Sequence, residues 1–405
     1  MKPWRVPYPK FGKGPGLERV SRIAEVLGIE LGSFGAHGAV VVGSNGKGST
    51  AAMTAALLQQ TGRSVGLFTS PHLLALNERF RLDGEDISDE ELALHWERVA
   101  AAAEAAGEAG SLGGFEFLFL IAAAWFKARG CAYTVWEAGI GGRLDPVRLI
   151  NAQRVALTSL DFEHTHLLGG TLAEIAAQKI DAAPAGARLF VSESCVGERA
   201  AIEAHCRARG VAPIFLPALA SASPLAGAHQ GENAALSRAL ACDVTPLTDA
   251  QVRNGFAAVR WHGRLEVLEA APLVVIDVGH TPAGVRLALE GFEVMRAGRK
   301  AVLVCGVSAD KDSSGIVAAL APRFDVIVCA AAHHKGAPAA VIAAHAAAAH
   351  PQAEIVIAED IADAHRIALA RAGAEAAVYV AGGLFLAVEF KAAHLGIDPA
   401  SLVFF

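Results

Sequence analysis

The sequence has 405 residues, 53% hydrophobic and 19% charged, with a formal net charge of −6. That length exceeds what one core usually serves, so two domains are expected, and the composition excludes a disordered chain and speaks against a nucleic-acid partner. The apolar runs at 117–126 and 341–349 fall short of the roughly 20 residues a membrane span needs, residues 1–5 lack the apolar core of a signal peptide, and the six cysteines form no C-x-x-C pair, so a cytoplasmic α/β enzyme with buried thiols and no membrane partner is expected.

Strands and helices alternate along the chain, the pattern of parallel sheets with crossover helices. The first part predicts strands at 39–42, 64–68, 132–138, 154–159 and 188–192, with helices at about 16–28, 50–61, 89–107, 115–129 and 171–181 between them. A second series of strands, at 273–277, 300–305, 325–329, 354–358 and 376–380, is long enough for an independent doubly wound domain. The boundary is expected near Trp261-His262-Gly263-Arg264, giving domains 1–261 and 265–405.

Directly behind the first strand stands Gly43-Ser44-Asn45-Gly46-Lys47-Gly48-Ser49-Thr50. Three glycines let the backbone turn tightly and point N–H groups at an anion, and the following helix aims its positive end at the same spot. Lys47 adds a mobile cation. The strict pattern G-x-x-x-x-G-K-[ST] is not met: Val41 stands where its first glycine belongs, and Gly48 separates Lys47 from Ser49. A glycine-rich turn without a ligand remains the plainer alternative, but three glycines with a lysine and two hydroxyls exceed what turn geometry asks for.

Three further segments fall at strand carboxyl ends, where ligands of open α/β sheets collect. Thr69-Ser70-Pro71-His72-Leu73 leads to Asn77-Glu78-Arg79. Glu137 opens Glu137-Ala138-Gly139-Ile140-Gly141-Gly142-Arg143-Leu144-Asp145. Asp161-Phe162-Glu163-His164-Thr165-His166 follows the strand ending at Ser159. Ser70 and Glu137 offer the hard oxygens that Mg²⁺ prefers, although either alone would read as a cap or turn residue. Lys179, ten residues past Gly169, reads by itself as a solvated helix lysine.

Taken in order, these segments resemble the dihydrofolate synthase/folylpolyglutamate synthase family of the Mur ligase superfamily. The likeness continues through His229-Gln230, Asn233-Ala234-Ala235, Gly263-Arg264-Leu265-Glu266, Asp277 with His280 and Pro282, and Asp310-Lys311-Asp312, and so covers nearly the whole chain. The resemblance implies a P-loop-containing Mur-ligase-type ATPase domain followed by a smaller Rossmann-like α/β C-terminal domain. It implies ATP and two Mg²⁺ sites: Lys47 and the loop amides of 43–50 on the phosphates, Ser70 and Glu137 on one metal, His164 on the second. Lys179 matches a lysine that the family carbamylates, Asn233 lies where the family contacts adenine, and Arg264, Asp277 and His280 would reach the nucleotide. The implied reaction activates an acceptor carboxylate as an acyl phosphate, which the amine of L-glutamate then attacks. The acceptor would be dihydropteroate or a reduced folate, and the protein a monomer.

The chain also departs from the family pattern. Asp277-Val278-Gly279-His280-Thr281-Pro282 replaces the usual Asp-Gly-Ala-His-Asn-Pro, Pro146-Val147-Arg148 replaces Ala-Thr-Asn, and Phe162-Glu163-His164-Thr165-His166 replaces Leu-Asp-His-Thr-Asp. A Pro-Arg-Ala segment survives only as Lys335-Gly336-Ala337-Pro338. These changes leave open a divergent ligase joining an amino acid to a different carboxylic acid, and, further off, a non-catalytic nucleotide-binding protein. Arg148 is expected either to grip an acidic substrate group or to point to solvent.

Overall fold

The computed structural model describes residues 4–219 and 223–404. The chain divides into two compact units. One comprises the chain up to Pro224 together with Gln230–Arg260; the other comprises Trp261–Phe404 together with Leu225–His229. The break thus falls at the tryptophan expected to mark it, but the second unit also takes a short segment from inside the expected first domain.

The first unit runs α1 (Leu17–Val26), β1 (Gly38–Val42), α2 (Lys47–Gln59), β2 (Val65–Phe68), β3 (Phe80–Leu82), β4 (Glu85–Asp86), α3 (Asp89–Ala105), α4 (Gly114–Ala128) and β5 (Tyr133–Glu137). It continues with β6 (Arg154–Leu157), α5 (Thr165–Leu168), α6 (Leu172–Ile180), β7 (Arg188–Ser192), α7 (Arg199–Arg209), β8 (Ala212–Leu216), α8 (Gln230–Val244) and α9 (Asp249–Ala258). Its eight strands lie in the order β4-β3-β2-β5-β1-β6-β7-β8, parallel except for the β2-β3-β4 meander. The chain leaves β5 on one side of β1 and enters β6 on the other, so the carboxyl end of β1 is the point where the winding reverses and a crevice opens. β1 and β5 are buried at every residue, as strands covered on both faces must be. Phe68, Phe119 and Phe126 close around Trp136 with ring centroids 5.2–6.1 Å away.

The helix behind the glycine loop begins at Lys47, three residues earlier than its apolar pattern predicts. Gly46 is the cause. Its left-handed backbone (φ 83°) ends the loop there and lets Lys47–Thr50 enter the first turn. The β3-β4 hairpin and the edge strand β8 have no counterpart in the sequence reading. They are two to five residues long, and β8 contains Pro213, which an edge position tolerates.

The second unit contains β9 (Glu266–Ala270), β10 (Leu273–Ile276), α10 (Pro282–Arg296), β11 (Ala301–Cys305), α11 (Ser313–Leu320), β12 (Val326–Cys329), α12 (Ala339–Ala349), β13 (Glu354–Ile357), α13 (Ile361–Ala372), β14 (Ala377–Ala381) and α14 (Leu384–His394). Its sheet runs β13-β12-β11-β14-β10-β9 and is parallel except for β9, an antiparallel edge that the sequence reading does not include. Tyr379 stacks on Phe292 at 4.2 Å at the centre of this core. Among the described residues all six cysteines are unpaired thiols, and no helix is long and apolar enough to cross a membrane.

The segment leading into β9 is held by one carboxylate. Glu266 accepts from Lys391 Nζ of α14 (2.7 Å), from the Gly263 N–H (2.8 Å) and pairs with His262 Nδ1 (2.8 Å). Burial by itself would raise its pKa, but His262 and Lys391 outweigh burial and pull the carboxyl down to about 2. A depressed carboxyl stabilises the fold fully above its ordinary value of 4.5, and that stabilisation is lost as pH falls toward 2. Glu266→Gln should therefore weaken the acid sensitivity of the second unit by up to ~2 kcal/mol between pH 6 and pH 3. Calorimetric melting at the two pH values checks this; an unchanged difference in Tm between them would refute it.

Candidate functional site

The glycine loop is strung between two other elements of the first unit. Ser44 N–H donates to the Ser159 carbonyl (3.0 Å), Asn45 N–H to Ser159 Oγ (2.8 Å), and Asp161 N–H to Ser44 Oγ (3.0 Å). Thr158 Oγ1 donates to the Asn45 carbonyl (2.5 Å). On the other side, Thr50 Oγ1 donates to Asn233 Oδ1 (3.2 Å), and Asn233 Nδ2 donates to Gln230 Oε1 (2.9 Å). Asn233 is 4% exposed. Its Oδ1 thus braces the first turn of α2 behind the loop, while its Nδ2 is held by its own helix.

Two glycines are obligatory here. At Gly43 (φ 148°) a Cβ would lie 1.9 Å from Thr158 Oγ1, and at Gly46 one would lie 2.5 Å from Asn233 Oδ1. Lys47 is half-buried, and its Nζ donates to the carbonyls of Gly43 (2.8 Å) and Ser44 (3.3 Å), so it curls over its own loop. The first turn of α2 presents backbone N–H groups without intrahelical partners. Within that turn Ser49 Oγ is buried and meets no hydrogen-bond partner. Leaving such a hydroxyl unpaired costs about 1–3 kcal/mol, which a phosphate or metal ligand would recover.

Ser70 and Glu137 are brought together as the sequence suggests. Glu137 ends β5 beside Val41 of β1 and accepts the Ser70 N–H at 2.8 Å. Arg79, buried near Glu137, donates through Nε to His72 Nδ1 at 2.9 Å. Burial brings its pKa down to about 10, with Glu137 and Glu78 opposing. Asp145 closes the glycine turn after β5 by accepting from the N–H groups of Gly139 (2.8 Å), Ile140 (3.1 Å) and Val147 (3.0 Å). Burial lifts its carboxyl to about 6 despite those bonds and the pull of Lys47. Arg148 is half-buried, and Nη1 donates to the Arg143 carbonyl (3.0 Å), so part of its guanidinium braces that turn.

Lys179 is the largest correction. It is 1% exposed, and its Nζ lies 2.5 Å from Glu163 Oε1. Burial and then the nearby charge of Lys47 push its pKa down to about 8, with Glu163 acting the other way. Burial would raise Glu163, but Lys47 and Lys179 hold it below its ordinary value. Lysine and carboxylate therefore share a pocket that also feels Lys47. The sequence does carry a signal for this: Lys179 falls four residues after Ile175, on the buried stripe of α6. Glu163 was visible only as one member of an acidic and histidine-rich cluster. His164 caps α5 in a left-handed conformation (φ 44°), its ring 6.2 Å from that of His166. Among the described residues no three His, Cys, Asp or Glu side chains gather into a metal cluster, so any metal set here must draw on hydroxyls and ligand oxygens as well.

In the second unit Arg264, Asp277 and His280 lie at the carboxyl end of β10. Asp277 is 3% exposed and accepts the N–H groups of Leu265 (3.1 Å) and Gly279 (2.8 Å). Burial raises its pKa while Arg264 opposes. With both oxygens spent on backbone, its visible task is to shape the segments that carry Arg264 and His280.

Comparison with known proteins gives the following. Residues 263–384 match the family model described as Mur ligase, glutamate ligase domain. A probable bifunctional folylpolyglutamate synthase/dihydropteroate synthase of Halobacterium salinarum is 31% identical over 94% of this chain, which spans 50% of that protein's length. A dihydrofolate synthase/folylpolyglutamate synthase of Mycobacterium tuberculosis is 32% identical over 82% of this chain and 77% of its own. Among solved structures, a bifunctional folylpolyglutamate synthase/dihydrofolate synthase with Mn, AMPPNP and L-glutamate bound superposes with a TM-score of 0.81 at 27% identity, covering 97% of this chain and 99% of that one.

Gly46→Ala tests the loop. The new Cβ meets Asn233 and the positive φ strains it, so a stability loss of about 1–3 kcal/mol is expected, together with loss of binding to a non-hydrolysable ATP analogue. Calorimetric melting and titration read the two; unchanged values in both would refute the geometry.

Proposed function

Because the chain belongs to the dihydrofolate synthase/folylpolyglutamate synthase family, we propose that it is an ATP-dependent ligase joining L-glutamate to the carboxylate of dihydropteroate or a reduced folate. The observation that carries this is the buried, unpartnered Ser49 hydroxyl in the first turn of α2, beside Lys47 and the loop amides. A phosphate cradle with that vacancy is suited to a nucleoside triphosphate. ATP would transfer its γ-phosphoryl group to an acceptor carboxylate oxygen, giving an acyl phosphate and ADP. The glutamate amine would then attack the acyl carbon, phosphate would leave, and the amine would lose a proton. No protein nucleophile is required, and the work is positioning and charge neutralisation.

Lys47 would uncurl from the carbonyls of Gly43 and Ser44 to reach the terminal phosphates. Ser49, Ser70 and Glu137 offer oxygens for one divalent cation and His164 a nitrogen for a second, and a bound cation would offset phosphate charge during transfer. In the second unit Arg264 and His280, shaped by Asp277, are assigned to the nucleotide. Lys179 would act as a carbamate: its neutral amine attacks the carbon of CO₂, an N–C bond forms and a proton leaves. The pKa of about 8 favours that step by leaving more of the amine neutral near pH 7. The product carries negative charge toward Lys47.

An acceptor panel tests the reading. Phosphate release should require ATP, Mg²⁺, glutamate and dihydropteroate or a reduced folate. Turnover only with unrelated carboxylic acids would replace the folate acceptor, and no turnover with any acid would remove the ligase. Lys47→Ala should keep the fold and lose several kcal/mol of transition-state stabilisation, the scale of a deleted electrostatic donor; near-normal turnover would remove Lys47 from the phosphates. Lys179→Ala should be inactive and partly restored by acetate, and the wild-type protein should show a carbamate carbon by NMR in ¹³C-bicarbonate. Absence of both signals would return Lys179 to a buried ion pair.

A further inference from the structure

The glycine turn after β5 and the last turn of α6 are fastened together beside Lys179. Arg143 N–H donates to the Gln178 carbonyl at 2.8 Å. Gly142 packs so closely that a Cβ would lie 2.5 Å from the Lys179 carbonyl oxygen. The side chains repeat the connection: Arg143 Nε donates to Asp181 Oδ2 at 2.6 Å, and Asp181 caps α6 two residues beyond Lys179. The other oxygen of Asp181 is held from α7, by His205 Nε2 at 2.9 Å and by the Arg209 guanidinium at 3.1 Å. The Asp181 side chain is 8% exposed, so this is a buried carboxylate with three partners and not a surface pair. The Glu163–Lys179 contact lies at the end of this chain of fixed pieces.

We propose that Asp181 is a positioning residue for the ligase reaction, which through Arg143 clamps the β5 glycine turn to α6 and so fixes where Lys179 Nζ stands. The proposal rests on the reading of Lys179 as part of the phosphate site. Asp181 touches no substrate. Its contribution is to remove the freedom of the α6 terminus, because a displacement of about 1 Å in a group that must face a phosphate can cost ~100-fold in rate.

The test uses Asp181→Ala, Arg143→Met and the double variant in the full chain. Amide hydrogen exchange followed by mass spectrometry should show exchange about tenfold faster in peptides covering 139–148 and 172–184 in all three variants, and in 199–209 as well wherever Asp181 is replaced, with other regions unchanged. kcat for phosphate release should fall about tenfold or more while KM for ATP stays within twofold. The double variant should lose no more than the worse single variant, as expected for two residues acting through one contact. Should Asp181→Ala fail to fold, Arg143→Met, whose side chain is 42% exposed, still reports on the clamp. Wild-type exchange and kcat in folded variants, or losses that simply multiply in the double, would overturn the proposal. Exchange needs no substrate, so local loosening in a protein that lacks ligase activity would leave the clamp standing and remove the function assigned to it.

Discussion

A loop with two backbone positions closed to any side chain other than hydrogen governs the first unit. Gly43 and Gly46 hold φ values of 148° and 83°, and the space a Cβ would need is filled by Thr158 and Asn233. Those two residues come from distant parts of the sequence, one just past β6 and the other on α8, so the loop takes shape only once sheet and helix are assembled. The strand order then does the rest. Setting β5 and β6 on either side of β1 brings Glu137, Ser159 and the 161–166 segment to the same crevice as the loop. The site is thereby a product of topology before it is one of side-chain chemistry.

Charge is the second constraint. Lys47, Lys179 and Glu163 influence one another, and burial works against all charge within the cluster. With Lys179 unmodified, two lysines face one carboxylate, and the fold accommodates them in different ways. Lys47 is half-buried and satisfied by carbonyls, whereas Lys179 is enclosed and has its basicity lowered by burial.

Much of this was legible in the sequence. The central strands are mostly apolar runs leading to glycine or a polar residue, so β1, β5 and β10 and the loops behind them announce themselves. What escaped has a physical reason in each case. β8 and β9 are half-exposed edge strands whose pattern is weak. Lys179 taken by itself reads as solvated, as one lysine in an amphipathic helix usually is, and only the resemblance gave it a role, although its position on the Ile175 stripe pointed inward. Arg148 suggested a substrate contact because its charge was visible, while the carbonyl that accepts from it was not. Asp181 carried no motif, since its three partners come from two other segments.

Several buried or half-buried carboxylates in both units serve backbone amides at strand ends and loop starts. Asp145 takes three N–H groups, Glu78 those of Leu73, Leu74 and Ala75, Asp277 two, and Glu389 those of His333 and His334. A carboxylate with both oxygens held in this way fixes the path of the loop around it. Glu137 stands at the end of β5 beside Val41 of β1, accepts the Ser70 N–H and lies near the buried Arg79. The acids that take backbone amides at the strand ends are the frame that holds these loops still.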